Sequence, residues 1–284
     1  MSSPGPFTAM APMAEGRNFR SSRRVRLGDV TPTGRVRLDA VARYLQDIAG
    51  DDVDDAGISG EAAWVVRRAS LEVHHRPEYE DRLDLVTWCS GTGAAWAERR
   101  TTVSLAARPV IEASSLWVCL DQAALRPKPL DERFFAVYGQ APQSRPVPSR
   151  LRLPANPPAD PLANPLTNPL ANPPTDPLAE PARVTSTPWP LRGADFDVLG
   201  HVNNAVAWAA LEEQVSRGHP ERLIDRAQVE YRAAIELGAR LTVVSADQEG
   251  VVGVWLIDGS AVTAVTAVAA VLRLSGPEPA AARA

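Results

Sequence analysis

Residues 195–208 read Asp-Phe-Asp-Val-Leu-Gly-His-Val-Asn-Asn-Ala-Val-Ala-Trp, and the reading of the fold starts here. A carboxylate, a glycine and a histidine share one turn. An alanine-rich stretch follows, with Val206, Trp208, Leu211 and Val215 on one helical face. The same outline occurs earlier in the chain. Residues 29–42, Asp-Val-Thr-Pro-Thr-Gly-Arg-Val-Arg-Leu-Asp-Ala-Val-Ala, lead into a helix on which Leu38, Val41, Leu45 and Ile48 recur, with Tyr44 adding to the face. Setting Gly34 on Gly200 brings Asp29 onto Asp195, Val36 onto Val202 and Leu45 onto Leu211 without a gap. Further on, setting Glu72 on Glu230 brings Glu78 onto Glu236, Arg82 onto Arg240 and Leu83 onto Leu241. The second register differs by a few residues, which fits a longer helix-to-strand connection in the first half. Matches in the same order as the elements indicate an internal duplication.

Each half reads as a short extended piece, one amphipathic helix and then strands. The strands are predicted at 63–74, 82–89, 95–105 and 110–120, and again at 228–233, 240–246, 251–257 and 261–274. One helix followed by adjoining strands, twice, is an α+β pattern in which an antiparallel sheet wraps a helix. The expected boundaries are a disordered leader at 1–18, a first domain at 19–142, a linker at 143–183, a second domain at 184–276 and a disordered tail at 277–284. Proline marks the linker. From Asn156-Pro157 to Glu180-Pro181 an acidic or amide residue precedes proline every four residues. Proline at every turn removes amide donors and excludes a helix, leaving loose turns or an extended segment.

The 284 residues suit two domains. The net charge of −4 argues against a nucleic-acid binder. Two cysteines, Cys89 and Cys119, make no disulfide framework, and no clustered ligands suggest a metal. No apolar run approaches the roughly 20 residues of a membrane span, and the N-terminus lacks a signal core, so a cytoplasmic location is expected. Lys128 is the only lysine beside many arginines, a compositional bias that weakens any argument from arginine clusters alone.

Two readings of the Asp195–Asn204 turn stay open on residues alone. In one, Asn203 or Asn204 caps the helix, Asp197 contributes to the cap and His201 is a packed polar residue. In the other, Asp197 and His201 face one cleft, and amides around Gly200 and Val202 at the helix start suit a developing oxyanion. Elsewhere, His74 and His75 fall on a strand, one on each face, and read as structural. His219 reads as solvated, and Glu212 and Glu213 as a solvated helix face. Gln46 and Asp47 on the first helix are candidates to reach across to Asp197. Trp64, Trp96 and Trp208 read as core or pocket lining.

The stretch from Asp195 to Trp208 resembles the hotdog-fold thioesterase motif, in which Asp-x-x-Gly-His-Val-Asn-Asn runs into the central helix. The remainder resembles the tandem-hotdog acyl-acyl-carrier-protein thioesterases of plants and bacteria. Residues 64–91 are similar to that family's first-domain strands, and residues 229–238 to a strand of its second domain. The resemblance implies two tandem hotdog domains forming an intrachain pseudo-dimer, with a possible homodimer of chains. It implies hydrolysis of fatty acyl-acyl-carrier-protein to free acid and thiol without metal or organic cofactor. The alternatives are an acyl-CoA thioesterase or a non-catalytic acyl-binding protein on the same scaffold. Asp197 would serve as base or nucleophile, Gly200 and Val202 would hold the oxyanion, and His201 would orient the reacting groups. Asn203 and Asn204 would support the helix start, and Gln46 or Asp47 would help from the other domain. The chain departs from the plant pattern at Leu199, Ala234 and Ile235, where that family carries an Asn, an acidic residue and a cysteine. In the first half the positions of Asp197 and His201 are Thr31 and Arg35, so that half is expected to be silent and to supply the acyl pocket. An acidic carrier would meet a basic rim, for which Arg23, Arg24, Arg26, Arg67, Arg68, Arg99 and Arg100 are candidates.

Overall fold

A computed structural model describes residues 7, 9–12, 16–60, 62–139, 142, 145–157, 183–248, 251–259, 261–268 and 272–274. The first half runs β1 (Asn18–Arg24), α1 (Leu38–Asp55), β2 (Ala63–Val73), β3 (Arg82–Thr92), β4 (Trp96–Leu105), β5 (Arg108–Leu120) and α2 (Glu132–Tyr138). The second runs β6 (Arg183–Trp189), α3 (Ala205–Gly218), β7 (Arg222–Ile224), β8 (Arg226–Tyr231), β9 (Leu241–Gln248), β10 (Val251–Asp258), β11 (Ala261–Val268) and β12 (Leu272–Leu274).

Ten strands form one antiparallel sheet in the order β1-β3-β4-β5-β2-β8-β11-β10-β9-β6. Read outward from its centre, the order is the same in both directions, with β2 matching β8, β5 matching β11, and so on to β1 and β6. The halves join where β2 pairs antiparallel with β8, Ser70 opposite Gln228. An antiparallel central pair is what a two-fold relation between the halves requires. This is the tandem hotdog arrangement, two helices wrapped by one continuous sheet.

The helices pack on each other, and the predicted apolar faces lie inside. Leu38, Val41, Tyr44 and Ile48 of α1, and Trp208, Leu211 and Val215 of α3, are at most 2% exposed and belong to one core that spans both halves. In β3 the alternation is plain: Leu83 and Leu85 are buried while Arg82 and Asp84 are exposed. Among the described residues no helix is long and apolar enough to cross a membrane.

Several expectations change. His74 and His75 do not lie on opposite faces of a strand. β2 stops at Val73, and both amides bend back to the carbonyl of Val110. The strand expected over 261–274 is two pieces, and β12 leaves the main sheet to pair with β7. The helix α2 had no sequence prediction. Asp131 caps it by accepting from the Phe134 amide at 3.0 Å, and Phe134 and Tyr138 pack with Cys89 and Ala97.

Of the expected linker, residues 145–157 are described, and they pack against both halves. Val147 and Leu153 are buried. The amides of Arg152 and Leu153 donate to the fully buried Glu230 carboxylate at 2.6 and 3.1 Å, and the Trp255 indole donates to the Pro154 carbonyl. The proline repeat beyond its first pair, most of the leader and the whole expected tail lie outside the described residues.

Candidate active site

Both halves build the same turn. In the second, the Asp195 carboxylate accepts from the Arg192 amide at 2.8 Å and closes a single 3-10 turn; its carbonyl accepts from the Asn203 amide at 2.8 Å. In the first, Asp29 accepts from the Arg26 amide at 3.0 Å, and its carbonyl accepts from the Arg37 amide at 2.8 Å. Asp29 and Asp195 are therefore structural pins. The turn reverses at Gly34 (φ 85°) and Gly200 (φ 78°), a left-handed conformation that glycine adopts without steric cost.

That turn places Asp197 in a cleft of 440 Å³ between the halves, together with Gln46, Trp64, His201, Asn204 and Tyr231. One Asp197 oxygen accepts from the Leu199 amide at 3.0 Å, and the other lies 3.5 Å from the Asn203 side-chain nitrogen. The same Asn203 nitrogen donates to Gln46 Oε1 at 3.2 Å, linking α1 of one half to the turn of the other. Asn203 Oδ1 also accepts from the Ala205 amide at 2.9 Å and so caps α3. Asn203, expected only to support the helix start, is the hub of the arrangement.

His201 shares a backbone bond with Asp197, its carbonyl accepting from the Asp197 amide at 3.0 Å, but its side chain does not bond the carboxylate. Its Nε2 lies 3.2 Å from Glu236 Oε1, and the two backbones form an antiparallel bridge. Glu236 was not among the sequence candidates. The repeat match of Glu78 with Glu236 was its only signal, because Arg35 bridges Glu78 as His201 bridges Glu236.

The expected oxyanion donors are already engaged. The Gly200 amide donates to Asp197 O at 3.0 Å and the Val202 amide to Ile235 O at 2.9 Å. The first closes the turn itself and the second pairs the turn with the facing segment at Ile235, so neither amide is free. The Asn204 amide, at the N-terminus of α3, has no partner among the described residues. Asp47 points away and pairs with Arg23 at the surface.

Beside the cleft lies an apolar cavity of 240 Å³ in the first half, lined by Ala49, Val53, Ile58, Cys89 and Phe134. Gln46, Trp64 and Trp117 line both spaces, so the cavity adjoins the cleft. One side of it is polar. Arg99 donates to the fully buried Asp52 at 2.6 Å and to the Tyr138 hydroxyl at 3.0 Å, and burial holds the Tyr138 phenol up at about 12. Burial likewise raises the Cys89 thiol to about 12, which keeps it protonated.

Other candidates move too. Arg68 and Arg100 are buried, and Arg99, its side chain 11% exposed, is tied to Asp52, so none of the three forms a rim. Arg67 lines the cleft, bonded to the carbonyls of Tyr231 and Arg232 at 2.8 and 3.1 Å. His219 is held by Asp247 at 2.5 Å rather than solvated. Glu212 reaches across to accept from the Leu38 amide at 2.9 Å and from Arg76 at 2.7 Å, and so caps α1. Trp208 is core, whereas Trp64 lines the cavity. No group of three or more His, Cys, Asp or Glu side chains is placed to hold a metal ion among the described residues.

Comparison with known proteins follows this geometry. Residues 16–138 match the acyl-ACP thioesterase N-terminal domain and residues 179–267 the acyl-ACP thioesterase C-terminal domain. An uncharacterized protein of Mycobacterium tuberculosis is 27% identical over 252 residues, covering 88% of this chain and 91% of its own length. The oleoyl-acyl carrier protein thioesterase 2 of Arabidopsis thaliana is 23% identical over 227 residues, covering 75% of this chain and 57% of its own length. Among solved structures, the 12:0-ACP thioesterase from Umbellularia californica superimposes with a TM-score of 0.67 at 18% identity, over 92% of this chain and all of the other.

Proposed function

The chain belongs to the acyl-ACP thioesterase family of thioester hydrolases, and from that premise we propose that its cleft at Asp197 is where acyl-ACP is hydrolysed. The observation that carries this assignment is a carboxylate held by the Leu199 amide and Asn203, in a cleft that adjoins an apolar cavity. The acyl chain lies in that cavity, against Ala49, Val53, Ile58 and Phe134. Its thioester carbonyl sits in the cleft. Asp197 accepts a proton from water as the water oxygen attacks the carbonyl carbon. Asn203 fixes the direction of the Asp197 carboxylate, and Gln46 holds Asn203 from the other half.

The oxyanion of the tetrahedral intermediate is received by the Asn204 amide, reinforced by the positive end of α3. This replaces the Gly200 and Val202 amides. His201, braced by Glu236 at the cleft, contacts the thioester as it arrives. Collapse of the intermediate expels the carrier's thiolate, which takes up a proton, and leaves the fatty acid. A thioester is a reactive acyl donor, so the chain's own groups are sufficient for this route. Arg67 and Arg232 are the arginines of the cleft that an acidic carrier would meet.

Thiol release by the purified chain from a panel of saturated acyl-ACPs, and from the CoA esters of the same acyl groups, tests this reading. The expected result is turnover with higher kcat/KM on the carrier-protein forms, reduced by added salt. Equal or better turnover of the CoA esters with no salt effect would contradict the carrier assignment. No turnover of either would contradict the placement of the reaction in this cleft.

A further inference from the structure

The two-fold relation provides the cleft at Asp197 with a counterpart at the first half's turn, and the counterpart is open. It has a volume of 790 Å³. The matched turns place Thr31, Arg35 and Arg37 where the other cleft has Asp197, His201 and Asn203. The bridges of Arg35 with Glu78 and of His201 with Glu236 fix the facing segments, so Arg76 stands at the position of Ala234. On the helices Glu212 stands where Gln46 does, one residue beyond the matched Leu45 and Leu211. Every one of these exchanges except Glu212 either removes a negative charge or adds a positive one.

Six arginines and three carboxylates line this second cleft. Arg37 pairs with Asp39, Arg76 with Glu212 and Arg217 with Glu213, while Arg192 is held by Asp195 from outside the lining. Arg35 and Arg222 have no side-chain partner among the described residues, and neither does the Nε of Arg76, a residue only 5% exposed. The compositional excess of arginine explains why arginines are present. It does not explain why an open cleft keeps cations without counter-charges. The cleft also has an apolar wall. Val215 and Ser216 of α3 line it at the positions that Ala49 and Gly50 of α1 occupy beside the acyl cavity, and Trp189, Leu223 and Ile224 extend the wall.

We propose that this second cleft is a binding site for a fatty carboxylate, with the carboxylate on Arg35 and Arg222 and the alkyl chain along Trp189 and Leu223. Thr31 has no base beside it and arginine cannot accept a proton, so a ligand there is held and not cleaved. The site does not depend on which residue performs hydrolysis in the other cleft.

Equilibrium dialysis of labelled dodecanoate against the full chain tests it, with dodecan-1-ol as the uncharged probe and inorganic phosphate as competitor. The expected stoichiometry is two dodecanoates per chain in the wild type. Arg35→Ala/Arg222→Ala should weaken one site about tenfold or more, as loss of charge-assisted hydrogen bonds does, and leave acyl-ACP turnover intact. Ala49→Trp, which fills the acyl cavity, should abolish the other site. Dodecan-1-ol should bind once, and phosphate should compete only at the arginine site. Arg35→Glu, checked for folding by circular dichroism, provides a second variant with the same expected loss. Unchanged dodecanoate binding in the folded arginine variants, or a single wild-type site lost only in Ala49→Trp, would overturn the proposal. Retained turnover in Ala49→Trp would instead count against the acyl-cavity assignment and leave the second site to the arginine variants.

Discussion

The turn from Asp29 to Arg37 and the turn from Asp195 to Asn203 have one backbone and two chemistries. Each is pinned by an aspartate, reversed at a left-handed glycine and bridged to the segment that follows the facing strand. What differs is the set of side chains that face the cleft. The second turn offers a carboxylate held by an amide, and the first offers a hydroxyl among guanidinium groups. After duplication the geometry of the turn was needed in both halves, because it starts the central helix. In the proposed function the reacting groups are needed in one. Pinning residues and reacting residues can therefore be told apart inside a single molecule.

The comparison extends to the helices, where the largest effect on stability is expected. Asp52 of α1 is buried and pairs with Arg99 and Arg17, whereas the matching residue of α3 is Gly218. Asp52→Ala would strand the Arg99 guanidinium, so denaturant unfolding should show a loss of about 3–5 kcal/mol. Gly218→Ala meets no atom within 4 Å and should shift stability by under about 1 kcal/mol. Comparable losses from both would mean that the halves are held by the same forces.

Asn203 and Arg37 separate the two roles more finely. Asn203→Ala frees the Asp197 carboxylate and cuts its link to Gln46, so kcat should fall about 10- to 100-fold with KM changed less. Arg37 bonds Asp39 and the carbonyls of Val30 and Gly28, so Arg37→Ala should lower the melting temperature and spare kcat. A fall in kcat for Arg37→Ala equal to that for Asn203→Ala would remove the distinction.

The pins themselves should behave alike. Asp29→Ala and Asp195→Ala each remove a turn-closing carboxylate and should cost about 0.5–2 kcal/mol in denaturant titration. Asp29 also accepts from the Tyr44 hydroxyl at 2.6 Å, which places its loss toward the upper end. Destabilisation in only one of the two would show that the shared backbone is not held by a shared device.

The turns, the helices α1 and α3 and most strands were legible in the sequence because their signals are local. A glycine at a reversal, apolar residues at helical spacing and alternation in strands all lie within a few residues. The cross-half contacts were not legible. Glu212 looked like one more charge on a solvated face, and only the packing of α3 against α1 brings it to the Leu38 amide. Gly200 and Val202 looked like free donors at a helix start, and only the folded turn shows them engaged, by Asp197 within the turn and by Ile235 of the facing segment. Glu236 lacked the family spacing, and the two-fold match alone pointed to it. Arg99 and Arg100, adjacent in a basic run, both turned out to be held inside, Arg99 by Asp52 and Tyr138 of two helices and Arg100 by Glu98 of its own strand.

The central claim is that one cleft of two performs hydrolysis and that Asp197 is its base. Side-by-side acyl-ACP turnover by Asp197→Asn and Thr31→Ala, each confirmed as folded, tests it most directly. Asp197→Asn keeps the shape and removes the proton acceptor, so turnover should fall about 10²–10⁴-fold, while Thr31→Ala should stay near wild type. Wild-type turnover in Asp197→Asn, or a collapse in Thr31→Ala, would contradict the account.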